Sequence, residues 1–198
     1  MSKINSYAKI NLALNIIGKK LALHKIETIV AFASLHDQIW IEKTKNEDHQ
    51  IFFKGKFSQN IGKNNTVFKL LQILDKKNLI HNQKYKITIN KQIPSRAGLG
   101  GGSMNAANIL KYFVKKKIIK ITKKEIILIS RLISSDVILG LNSTYAILNS
   151  RNKIKYFSNI KKFHILIVKP NFGCSTKKIY MKVKKFNKSK FDKPSKKM

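Results

Sequence analysis

The chain is poor in the residues that would narrow its function at once. Its 198 residues include one cysteine, three prolines, one tryptophan and nine acidic side chains. A lone cysteine, Cys174, excludes an internal disulfide and fits a reducing cytoplasm. No apolar run reaches the ~18–20 residues that a membrane-spanning helix needs. The N-terminal MSKINSYAKINLALNIIG has neither the unbroken apolar core nor the small-residue cleavage site of a secretory signal. The expectation is a soluble cytoplasmic protein with no membrane partner. Scarce acid against 41 Lys and Arg leaves a net charge of +32, which invites a polyanionic partner. Arginine is scarce as well. Arg96, Arg131 and Arg151 are the three among 41 basic residues, although bidentate contacts to phosphates and base edges favour arginine. The lysines are spread along the chain among abundant Ile and Asn. The charge therefore reads first as compositional bias, with nonspecific attraction to nucleic acid following from it.

What the chain does contain suffices to fold. With 43% hydrophobic residues, including 11 Phe and 6 Tyr, it can bury a core for one domain, or one domain and part of another. Alternation predicts strands over 7-YAKINLALNII-17, 26-IETIVAFASL-35, 38-QIWIEK-43 and 84-KYKITINKQI-93. Residues 44–64 are polar and read as hairpin and loop, despite the apolar patch Ile51–Phe53. Val67, Leu70, Leu71 and Leu74 at helical spacing predict a helix over 65–78. Further helices are expected over 103–116, opened by Ser103 or Asn105, and over 123–134. The segments 144-TYAILN-149 and 163-FHILIVKP-170 read as strands. From Tyr180 the lysine-rich tail loses periodicity and is expected to be frayed or disordered. Strands and helices without strict alternation point to an α+β fold.

Glycine is used sparingly, nine in all, yet four fall within 98-GLGGG-102. A strand, a glycine-rich turn and a helix present bare N–H groups and a positive helix end to an anion. Glycine there also admits positive φ and close approach. The run is not a Walker A loop, since no lysine follows the last glycine. Nor is it the dinucleotide fingerprint, since Ser103 stands at the third glycine position. On the residues alone, a phosphate cradle and a tight turn packing helix on strand are equal alternatives.

The wider pattern P-x-x-x-G-L-G-G-G-S-x-N-A-A, Pro94 to Ala107, resembles the phosphate-binding motif of the galactokinase–homoserine kinase–mevalonate kinase superfamily, the GHMP kinases. The stretch 8-AKINLAL-14 is similar to that family's first motif, and 134-SSDVILGL-141 to the segment carrying its catalytic aspartate. Weaker matches at 65-NTVFKLLQIL-74 and 169-KPNFGCSTKKIY-180 extend the resemblance to nearly the whole chain. It implies a ribosomal-protein-like β-α-β N-terminal domain over 1–160 that binds ATP. It further implies the start of an α/β C-terminal domain over 161–182 and a lysine-rich tail over 183–198, hence a C-terminally truncated member.

The triple-glycine form is similar to the branch that phosphorylates the 2-hydroxyl of a cytidyl-diphospho-methylerythritol, a small-molecule substrate of non-mevalonate isoprenoid synthesis. The resemblance implies Lys9 and Asp136 as the catalytic pair. It implies ATP held by Pro94, Gly98, Leu99, Gly100, Gly101, Gly102, Ser103 and Asn105, with Asn65 near the adenosine. Asn11, His24 and Thr176 would meet the substrate. Mg²⁺ would bridge the phosphates, with no protein side chain assigned to it. Three positions depart from the family pattern: Leu23 stands for a tyrosine, Ile138 for a proline, and Met104 for a second serine at the phosphate end of the loop. The alternatives that stay open are an inert remnant and a basic RNA-binding module of the same fold.

Overall fold

The computed structural model describes residues 2–20, 23–157, 163–170, 172–174 and 176–192. Strands β1 (Ser2–Lys20) and β2 (Leu23–Thr44) form a long antiparallel hairpin. The two strands expected over 26–35 and 38–43 are thus one. β2 runs through His36 and Asp37 unbroken because its two halves meet different neighbours. Thr28–Val30 pairs with β5 (Tyr145–Leu148), whereas Gln38–Thr44 pairs with β4 (Lys84–Asn90). The patch expected to be loop is also a strand, β3 (Gln50–Lys54), which lies parallel to β4. A short run like this is recognisable only once the free edge of β4 is known. β6 (Ile154–Phe157), unforeseen, pairs with β5 and completes a six-stranded sheet of order β3-β4-β2-β5-β6, with β1 along β2.

One face of the sheet buries Ile39, Ile41, Ile87 and Ile89 against three helices. Helix α1 (Thr66–Lys76) contributes Val67, Leu70, Leu71 and Leu74; α2 (Gly101–Lys115) contributes Ile109, Leu110 and Phe113; α3 (Lys123–Ile133) contributes Ile129 and Ile133. Each such side chain stabilises the fold by roughly 1.5–3 kcal/mol on full burial, so this layer outweighs helix propensity. The result is the α+β arrangement that the pattern indicated, with its helices gathered on a largely antiparallel sheet.

The helix starts differ in a way that matters for function. Asn65 caps α1, its side-chain oxygen accepting from the Val67 and Phe68 N–H groups. Thr122 and Glu125 form a capping box on α3. α2 begins instead at Gly100, in the left-handed region at φ 65°, with no side-chain cap; neither Ser103 nor Asn105 opens it.

Beyond β6 one expectation fails. Residues 163–170 are not a strand. Leu166 and Val168 are 90% and 80% exposed, and no ladder reaches them among the described residues. An apolar run becomes a strand only when a neighbour satisfies its backbone groups. The helix α4 (Thr176–Met181) follows. Residues 183–192 then carry neither helix nor strand, but they do not hang free. Asn187 N–H donates to the Ile16 carbonyl, and the Lys190 and Phe191 N–H groups donate to the buried Glu27 carboxylate. That anchor lies far upstream, where tail composition gives no sign of it.

Candidate active site

β1 shifts register between Tyr7 and Lys9. Such irregularities re-aim side chains, and here two successive residues, Ala8 and Lys9, are both buried. The Lys9 backbone N–H donates to the Leu99 carbonyl at 3.0 Å, joining the strand to the glycine loop. The Lys9 ammonium lies 3.1 Å from Asp136 Oδ2 and 3.2 Å from Asn11 Oδ1. Its side chain is 4% exposed while that of Asp136 is 30% exposed, so the pair opens to solvent on the carboxylate side. Asp136 sits at the start of a 3₁₀ helix, Val137–Leu141, but its side chain makes no capping bond. Its N–H donates to Ser134 Oγ, which lies 2.9 Å from Ser103 Oγ on α2.

The glycine loop is shaped around this pair. A Cβ on Gly100 would sit 3.2 Å from Lys9 Cε and 3.8 Å from Asp136 Oδ2. On Gly101 it would meet Ile93 at 3.0 Å and the Lys91 ammonium at 3.2 Å. The loop is fastened to α1 as well, since Thr66 Oγ1 donates to the Gly102 carbonyl at 2.6 Å. A cleft of about 650 Å³ results, bordered by β1, β2, the loop, Ser134–Asp136 and α4. A larger groove, about 1380 Å³, runs past α2, α3 and β6. Its described lining mixes apolar, basic and neutral polar side chains without a carboxylate, whereas the smaller cleft holds Asp136 beside Lys9.

Of the residues singled out from sequence, the cleft gathers Lys9, Asn11, Pro94, Gly98, Leu99, Gly100, Gly101, Gly102, Ser103 and Asp136. Three lie elsewhere. Asn65 spends its side chain on the α1 cap and on the Gly62 and Lys63 carbonyls. Asn105 is buried and turned inward, its amide donating to Asp37 Oδ2 at 3.0 Å. His24 does not line the cleft but meets Tyr180, which does, edge-on at 5.4 Å. The side chains of Thr176 and Leu23 lie outside the described residues. Met104 does not reach the cleft at all. It is fully buried against Gly140, whose Cβ position lies 2.8 Å from the Met104 sulfur.

Sequence reasoning missed several cleft residues. Thr28 Oγ1 lies 3.2 Å from Asn11 Oδ1, so β2 helps to hold the residue that holds Lys9. Tyr180 lines the cleft from α4; burial, then the negative charge of Asp136, pushes its phenol pKa up. Arg96, Lys91 and Ser134 line the cleft too. Arg96 was visible as one of three arginines, inside the motif itself. Lys91 was hidden among 38 lysines.

An uncapped helix start, a glycine loop and the Lys9–Asp136 ion pair thus meet around one cleft of an α+β domain, an arrangement suited to an anion. Residues 65–149 match the GHMP kinases N terminal domain. The 4-diphosphocytidyl-2-C-methyl-D-erythritol kinase of Pelagibacter ubique is 55% identical over 196 residues, which cover 99% of this chain and 70% of that enzyme. The Finegoldia magna enzyme of the same name is 32% identical over 94% of this chain and 67% of its own length. In fold, the chain overlays a crystal structure of 4-(cytidine 5'-diphospho)-2C-methyl-D-erythritol kinase with a TM-score of 0.62, at 23% identity, over 79% of this chain and 55% of that one. The chain therefore spans about two thirds of these curated relatives and about half of the solved structure. It belongs to the GHMP kinases, in the 4-diphosphocytidyl-2-C-methyl-D-erythritol kinase family.

Proposed function

We propose that the cleft binds ATP and transfers its γ-phosphoryl group to the 2-hydroxyl of 4-diphosphocytidyl-2-C-methyl-D-erythritol. The observation that carries this reading is the Lys9–Asp136 pair, held at 3.1 Å beside Gly100 and the start of α2. Phosphoryl transfer asks for positioning and charge stabilisation more than for covalent chemistry. The N–H groups of the loop and the positive end of α2 suit the ATP phosphates. Asp136 takes or orients the proton of the acceptor hydroxyl as its oxygen attacks the γ-phosphorus and the bond to the β–γ bridging oxygen breaks. Lys9, 3.1 Å away, holds that carboxylate in place and offsets charge on the transferred group.

The hydroxyls of Ser103 and Ser134, beside Asp136, are hard oxygen donors of the kind Mg²⁺ accepts. Mg²⁺ would rest on them and on the phosphates, neutralising charge on the β- and γ-phosphoryl groups. On the substrate side, the Tyr180 ring backed by His24 offers the aromatic surface that Leu23 lacks. Base stacking on such a ring is worth roughly 1–3 kcal/mol. An RNA-binding role alone finds no use for the Lys9–Asp136 pair.

The test is ATP-dependent turnover of the cytidyl-diphospho substrate by the full chain and by Asp136→Asn. A loss of about 10²–10⁴-fold in kcat with ATP affinity kept supports a role for Asp136 in the proton transfer. Equal turnover in the two proteins removes Asp136 from the chemistry.

A further inference from the structure

Beneath the glycine loop lies a buried carboxylate that the chemistry above does not use. Asp37 is fully buried in the middle of β2. Its Oδ1 accepts the Gln92 and Ile93 backbone N–H groups at 2.8 and 2.9 Å. Its Oδ2 accepts from the Lys91 ammonium and, at 3.0 Å, from the Asn105 amide. Gln92 and Ile93 are the residues just before the loop, and Asn105 lies in the early turns of α2 just after it. One carboxylate thus grips both feet of the segment that wraps the cleft. Lys91, the ion-pair partner, lies under Gly101 and reaches the cleft lining.

We propose that Asp37 is a positioning residue for nucleotide binding: it anchors both feet of the glycine loop and holds the Lys91 ammonium beneath Gly101, so that the loop N–H groups face the cleft. The inference rests on the kinase reading for what the loop binds, but not for how the loop is held. The physical reason is that a loop rich in glycine loses the most backbone freedom on ordering. Without fixed feet, the loop would meet that loss on each binding event. A carboxylate with four donors in a dry site makes strong, charge-assisted bonds. Asn105 joins the same anchor from the helix side, which explains why a residue of the phosphate motif turns away from the cleft.

The test is Asp37→Asn, which keeps shape and loses charge, read in two ways on the full chain. Amide hydrogen exchange without ligand should show the Gln92 and Ile93 N–H groups losing protection by about tenfold, with loss spreading across residues 97–102 while Ile87 and Ile89 on β4 stay protected. ATP titration should show Kd raised about tenfold. An Ile87→Ala control, matched in lost thermal stability, should leave Kd unchanged. Should Asp37→Asn fail to fold because Lys91 is left unpaired, Asp37→Asn with Lys91→Met removes the lone charge and the exchange measurement is made there. Unchanged protection at Gln92 and Ile93, or a loss spread evenly through β2 and β4, overturns the proposal. If the wild-type chain binds no ATP, the kinase reading fails and the exchange result still decides whether Asp37 anchors the loop.

Discussion

Replacing Gly100 by alanine isolates what the loop does for the Lys9–Asp136 pair. Gly100 has φ 65°, and an alanine held there costs about 1–2 kcal/mol in backbone strain. For a chain of this size that corresponds to a fall of about 2–8 °C in Tm. The added methyl would also stand 3.2 Å from Lys9 Cε and 3.4 Å from Lys9 Cβ, closer than ordinary contact, so the lysine must give by a few tenths of an ångström. Lys9 has little room to do so, being buried and bonded to both Asp136 and Asn11. Small displacements of a catalytic group are costly, with an ångström worth about 10²-fold, so kcat should fall about 10- to 100-fold. Gly98→Ala supplies the comparison. Its φ of 73° brings the same strain, but nothing lies within 4 Å of its Cβ position. Steady-state kinetics and thermal melts of the two variants separate strain from crowding. Similar Tm losses with kcat impaired only in Gly100→Ala is the expected outcome. Equal losses of kcat in both would refute the idea that Gly100 makes room for Lys9.

Other consequences follow from single contacts. Met104→Ser, which restores the hydroxyl of the family motif, should destabilise the chain by about 2–4 kcal/mol through cavity and buried hydroxyl, without tightening ATP binding; a gain in ATP affinity would mean that position 104 does reach the cleft. His49 Nδ1 accepts the Tyr85 N–H and its Nε2 faces Asp75, so the ring is held neutral; burial, assisted by Lys84 and opposed by Asp75, keeps its pKa below the ordinary value. A lowered histidine pKa gives stability that is complete above about pH 6.5 and declines as pH falls through that value toward the folded one. Thermal melts of wild type and His49→Asn should therefore converge on acidification, and a difference that widens toward pH 5 would count against this.

The sheet and helices were legible where burial is periodic. Tyr85, Ile87 and Ile89 alternate in β4, and Val67, Leu70, Leu71 and Leu74 repeat in α1, because each meets the core from one side. What stayed hidden depended on neighbours that sequence does not name. β3 and β6 exist because an edge was free beside them, and 163–170 stays irregular because none of the described strands lies beside it. In the site, the glycine loop, Lys9 and Asp136 were readable as motif. The inward turn of Asn105 was not, since it answers to Asp37, 68 residues upstream in another strand. Met104 shows the same limit: its fate is set by Gly140, a residue too small to attract notice.

The role proposed for Lys9 and Asp136 is to carry phosphoryl transfer at the loop. Its most direct test is to incubate the full chain with ATP, Mg²⁺ and 4-diphosphocytidyl-2-C-methyl-D-erythritol and to follow the products by ³¹P NMR. One new phosphomonoester signal on the erythritol is expected, formed in step with ADP and lost in both Lys9→Ala and Asp136→Asn. ADP release without that signal, or the same signal from either variant, would contradict the claim.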